Sequence, residues 1–238
     1  HDKNLKVAAA GTRVREAADP AATSEVVTEF RMDVPVAVVS FALGPFVRSS
    51  ERNDPGSGPD VPIELYSMPR GVISVKDTFI QAEMINSLNY FSALFGEYPY
   101  PVFRAMLHPH GFGSGWLTYG TGEVQDEWLA DSLATMLVIT PIDLVDKNTF
   151  MSIAHQTSHQ WWGHMVLWRS YRDQWLSEGF AEYSGVLYAG HRDGAALGRK
   201  LLGRLRKSLV ASSVGIGRLT DVGPITVGHR LATRGAAN

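Results

Sequence analysis

No cysteine occurs among the 238 residues, which removes disulfide cross-links and thiolate metal ligands from consideration. That absence fixes no compartment. An excess of one charge is also missing: 22 Lys and Arg against 24 Asp and Glu leave a formal net charge of -2. Such a balance offers no basic footprint for a nucleic-acid backbone. Nor does any uninterrupted apolar run reach the roughly 18 to 20 residues needed to cross a bilayer. The longest apolar-rich stretch near the start, Val34 to Val47, is broken by Ser40 and Gly44 and reads as a buried strand or strand pair. The first residue is His1, which points to a processed product or a fragment and leaves secreted, periplasmic and cytoplasmic locations all open. What is present suits a folded core: 45% apolar and 19% charged residues, at a length for one large domain or one and a half smaller ones.

Along the chain, residues 1 to about 25 are small and polar, and are expected to be peripheral. Val26 to Met32 begins a β-favouring region, and Val36 to Leu43 reads as a strand covered on both sides. Residues 1–50 are thus expected to hold a peripheral segment and the end of an N-terminal β unit. Residues 51–75 form a turn-rich linker around Asp54-Pro55-Gly56 with a strand from Ile63 to Tyr66. From Asp77 the apolar period turns helical through Phe79, Ile80, Met84, Leu88, Phe91 and Phe95, with Asp77 as a candidate cap. Residues 148 to 167 and 174 to 188 read as two further helices, the second closed by Gly190 with Asp173 capping it, and 195 to 211 as a third.

Two histidines and one carboxylate stand out. His155 and His159 are four apart, so a helix sets both rings on one face about one turn apart. Glu178 lies 19 residues beyond His159, on the next expected helix, which can fold back antiparallel. Neutral imidazole and carboxylate are suitable zinc ligands, and a set of three leaves a fourth position open. A histidine pair alone is weak evidence, since either ring can cap a helix or meet a buried carbonyl. The glutamate in Trp175-Leu176-Ser177-Glu178-Gly179 raises the signal, and Glu182 one turn on is placed to orient a ligating histidine.

The segments His155-Gln156-Thr157-Ser158-His159-Gln160-Trp161-Trp162-Gly163 and Trp175 to Tyr183 together resemble the zinc-binding region of the M1 aminopeptidases. Phe95-Gly96 followed by Tyr98-Pro99-Tyr100-Pro101 is similar to another stretch of that family. The resemblance implies an α+β, thermolysin-like zinc metallopeptidase domain over residues 76–238, continuing past Asn238, with a β-rich N-terminal portion and flanking domains. It further implies one zinc ion on His155, His159 and Glu178, and a peptide as substrate, cut near its amino terminus.

The sequence departs from the family pattern at three places. Gln156 occupies the position of the glutamate that relays a proton, and an amide lacks the basicity for that role. Gly113, Ser114, Gly115 and Trp116, within a glycine-rich stretch from Gly111 to Tyr119, stand where the family binds the substrate amine, but no acidic residue is there. An extended peptide can still pair with such a strand. Finally, neither Tyr183 nor Tyr188 matches the family's distal tyrosine, which lies farther along. The expectation is zinc and peptide binding with impaired turnover, or a peptide-binding module that has lost catalysis.

Overall fold

The computed structural model describes residues 1–68, 76–107, 131–139 and 149–210, with the pairs 212–213 and 217–218. Four strands come first: β1 (Lys6–Ala9), β2 (Thr12–Asp19), β3 (Ala22–Arg31) and β4 (Phe41–Gly44). β1 pairs antiparallel with β4, and β2 with β3 as a twisted ribbon carrying irregularities at Arg13/Arg15 and Ala18/Asp19. The first 25 residues therefore carry ordered strands, of which β2 is largely exposed. The segment is anchored at Ala8 to Gly11, where small side chains bring the backbone onto a buried arginine from the main sheet.

The run after Pro35 also departs from expectation. Residues 35–40 form no strand, and Val38, Val39 and Phe41 are 61%, 74% and 74% exposed. β4 pairs with β1 alone among the described strands, so no second layer covers its outer face.

The main sheet contains β5 (Val47–Arg52), β6 (Pro62–Ser67), β7 (Phe103–Leu107), β8 (Asp131–Leu133) and β9 (Met136–Ile139), in the order β5-β6-β7-β9-β8. The three middle strands run parallel, and antiparallel partners flank them. β7 is buried at every position, as expected for a strand covered on both faces. Helix α1 (Asp77–Phe95) lies over the sheet with Ile80, Met84, Leu88 and Phe91 fully buried, the 3.6-residue stripe read from the sequence. Asp77 is the first helical residue, not the cap; Lys76 holds that position without a side-chain bond.

Helix α2 (Thr149–Ser158) packs on α1, and α3 (Trp175–Asp193) packs on α2. α2 is shorter than its apolar pattern suggests, because the chain turns at residues 159–162 and Trp162 bridges to Val166. Gln174, not Asp173, precedes α3, and Asp173 instead accepts a bond from Ser170 Oγ. α3 continues through Gly190 to Asp193, and Gly190 lies inside the contact with Gly198 of α4 (Ala195–Val210). Short strands β10 (Ser212–Ser213) and β11 (Gly217–Arg218) follow.

α1 and α3 are tied by Glu83, buried between them. Its carboxylate accepts bonds from Tyr188 Oη at 2.6 Å and Arg192 Nε at 3.0 Å. Arg192 also lies 4.2 Å over the Phe150 ring of α2, so one guanidinium joins all three helices. No helix among the described residues is long and apolar enough to cross a membrane.

Candidate metal centre

His155 comes from the last turn of α2, and His159 from the turn that ends it. α3 carries Glu178 to the same point. His155 and His159 are buried and Glu178 is exposed, which leaves one side of the cluster facing solvent. Local geometry brings the three together. α3 lies directly against α2 at the histidine, where a Cβ at Gly185 would be in ordinary contact with Met151 at 3.4 Å and the His155 Cβ at 3.6 Å. Gly163 has φ +111, in the left-handed region that glycine adopts without strain, and turns the chain beside the His159 ring.

The separations fit a single ion. The two Nε2 atoms lie 3.2 Å apart; Glu178 Oε2 is 3.6 Å from that of His155 and 3.4 Å from that of His159. Ligands about 2.0–2.1 Å from a tetrahedral zinc are separated by roughly 3.3–3.4 Å. All three edges fall near that value. The far side of each ring is fixed as well: His155 Nδ1–H donates to Glu182 Oε2 at 3.1 Å, and His159 Nδ1–H to the Trp162 carbonyl at 2.8 Å. With Nδ1 committed as a donor, each Nε2 presents its lone pair to the shared point, the arrangement found around metal-ligating histidines. The donor set therefore fits zinc.

Electrostatics point the same way. Burial works against a charge on His155, but hydrogen bonds and attraction from Glu178 and Glu182 outweigh it and raise its pKa to about 9. The two rings hold the Glu178 carboxyl well below the usual carboxylate range. A positive charge at this point is favoured, whether it comes from a proton or a metal ion.

The neighbouring sequence signals divide into core and site. Trp161 is buried against Phe91, Phe95 and Tyr98 and donates to the Gly96 carbonyl. Trp162 stacks on Phe180 and donates to Ser184 Oγ, tying the turn to α3. Gln156 is half-buried on α2 between the two histidines in sequence. Gly113, Ser114, Gly115 and Trp116 lie outside the described residues. The sequence reading missed the Trp162 carbonyl, a backbone group that no residue type announces. It also missed Gln160, whose position directly after His159 was the one available clue.

Residues 125–215 match the Peptidase family M1 domain. Glutamyl aminopeptidase of Bos taurus is 30% identical over 173 residues, covering 68% of this chain and 16% of the relative. Aminopeptidase N of Homo sapiens is 31% identical over 108 residues, covering 43% of this chain and 10% of the relative. The chain thus spans a small part of the length of the curated relatives it matches. The M1 zinc metallopeptidase of Deinococcus radiodurans superposes with a TM-score of 0.63 at 21% identity, over 87% of this chain and 42% of that one. A mutant of that protein bound to a Tyr-Ser-Ala substrate gives 0.61 at 21% identity, over 94% and 47%. The fold is that of the M1 zinc metallopeptidases, and the family match lies within residues 125–215.

Proposed function

We propose that this chain is the metal-binding part of an M1-type zinc aminopeptidase, with His155, His159 and Glu178 as the ligands and peptide as the substrate. The carrying observation is the trio of near-equal separations around one point, with both Nδ1 atoms already engaged. Zinc bound there supplies Lewis acidity to a substrate carbonyl and to the attacking water. Glu182 fixes the tautomer and tilt of His155, and the Trp162 carbonyl does so for His159. Gln156 stands where the family has its proton-relaying glutamate. Its amide can hydrogen-bond a water molecule but accepts no proton at neutral pH, so the chain binds substrate with little turnover. Cleavage near the peptide's amino terminus is carried over from aminopeptidase relatives.

A second reading is a peptide-binding module that has lost catalysis altogether, favoured by the same glutamine. One substitution separates them. Gln156→Glu in the zinc-loaded chain is expected to raise hydrolysis of aminoacyl reporters by about a hundredfold or more, the scale of general-base catalysis. Peptide binding unaccompanied by any gain in turnover supports the inactive module. Failure to take up one zinc ion per chain, measured by elemental analysis, overturns both readings.

A further inference from the structure

The turn that carries His159 makes a second set of bonds away from the metal-facing atoms, and in it the Gln160 side-chain carbonyl also accepts from the core hydroxyl of Tyr98 at 3.5 Å. Gln160 is fully buried, and its side chain reaches the β8–β9 hairpin. Its Oε1 accepts from Thr135 N at 2.8 Å, while Nε2 donates to Ser132 Oγ at 3.0 Å and to the Leu133 carbonyl at 2.9 Å. Four residues on, His164 Nε2–H donates to the Ser132 carbonyl at 2.8 Å. Two side chains of one short turn thus hold three residues of the hairpin, Ser132, Leu133 and Thr135.

The hairpin is an unusual object to hold. Thr135, in the two-residue turn, has φ 71, a left-handed conformation that is an outlier for a β-branched residue and is strained. Such strain persists only where surroundings over-determine it, and here the bond from Thr135 N to Gln160 is part of that constraint. β8 is also the outermost strand of the sheet among the described residues. An outer strand is where an extended peptide adds by backbone pairing. Gln160 directly follows His159 in the chain, so metal ligand and strand edge are separated by one rigid turn, closed by bonds from Gly163 N to the Val166 carbonyl and from Val166 N to the Trp161 carbonyl.

We propose that Gln160 and His164 are positioning residues for the substrate: they fix the β8 edge relative to the metal ligands, so that a peptide paired along that edge brings a carbonyl to the ion. This rests on the peptidase reading above and assigns these two side chains a role beyond it. Neither touches the reacting atoms. They act through the hairpin.

The test uses the zinc-loaded chain with Gln156 in place, which binds peptide without consuming it, and the tripeptide Tyr-Ser-Ala as probe in titration calorimetry. His164→Ala is expected to weaken tripeptide binding about tenfold, the scale of one lost hydrogen bond, and to leave zinc affinity within about threefold. His164→Gln, which retains an N–H donor, is expected to restore most of the loss. Gln160→Glu keeps an acceptor for Thr135 N but removes both donors, and is expected to weaken binding at least as much as His164→Ala. His164 is only partly buried, so His164→Ala carries the test if Gln160→Glu fails to fold. Unchanged tripeptide affinity in His164→Ala overturns the proposal. Equal losses of zinc and tripeptide affinity overturn it too, because the pair would then merely support the metal turn. An unsubstituted chain that binds zinc but no tripeptide overturns both this proposal and the peptidase reading, and is recognised before any variant is made.

Discussion

Two buried polar clusters in this chain are built from similar groups and completed in different ways. At the junction between the N-terminal strands and the main sheet, Glu64 accepts bonds from Arg48 and Arg104, each at 2.6 Å. Arg104 spends its other donors on the carbonyls of Ala9 and Gly11 and sits 5.6 Å from the centre of the Phe30 ring. Burial would raise the Glu64 pKa, but the two guanidinium groups outweigh it and hold it below the usual value. Its hydrogen-bonding groups are met within the chain, with two guanidinium groups sharing one carboxylate. Around His155, two lone pairs and a carboxylate oxygen face one point, and all three are acceptors when the rings are neutral. The first cluster finds its partners within the chain and holds the fold; the second asks for a cation from outside.

That contrast can be broken most forcefully at the closed cluster. Arg104→Ala leaves Glu64 buried with Arg48 and the Tyr66 hydroxyl as its remaining partners and frees two backbone carbonyls, and is expected to cost about 3 kcal/mol in denaturant unfolding. Zinc stoichiometry should stay at one. Loss of the metal in that variant would show that the two clusters are coupled. Glu178→Gln should do the reverse. It is expected to lower zinc affinity by at least about a hundredfold, or about 2.8 kcal/mol, in a competition titration, with little change in stability measured in chelator above about pH 9, where His155 no longer holds its proton.

The smallest effect concerns pH. In chelator, folded His155 titrates at about 9 against an ordinary 6.5, so the folded chain holds a proton that the unfolded chain releases. The resulting stability is fully present below about 6.5 and is lost as pH rises toward 9. Zinc displaces that proton, so its affinity should climb over the same interval. A denaturation midpoint in chelator that does not fall between those two pH values would remove the case for a cation-seeking cluster.

The sequence made the open cluster far more legible than the closed one. His155 and His159 betray themselves by helical spacing, and Glu178 by its place on the next helix. Arg104 could not be read, because the carbonyls it holds lie more than 90 residues away and any residue supplies a carbonyl. Gln160 is a neutral amide with no periodic signature, and only the fold brings Thr135 and Ser132 to it. Helix caps failed for a different reason: Asp77 and Asp173 each miss the capping position by one residue, and capping tolerates no such shift. Val36 to Leu43 misled because apolar content shows that burial is affordable without supplying the second layer that provides it.

The helix bearing the first histidine is only ten residues long. An isolated segment of that length is marginal in water, since nucleation outweighs the few backbone bonds it can form. A synthetic peptide spanning residues 149–163 would therefore display its two imidazoles in no fixed relation. Burial of α2 between α1 and α3 is what sets the rings in place, so metal capture and tertiary packing are expected to reinforce each other.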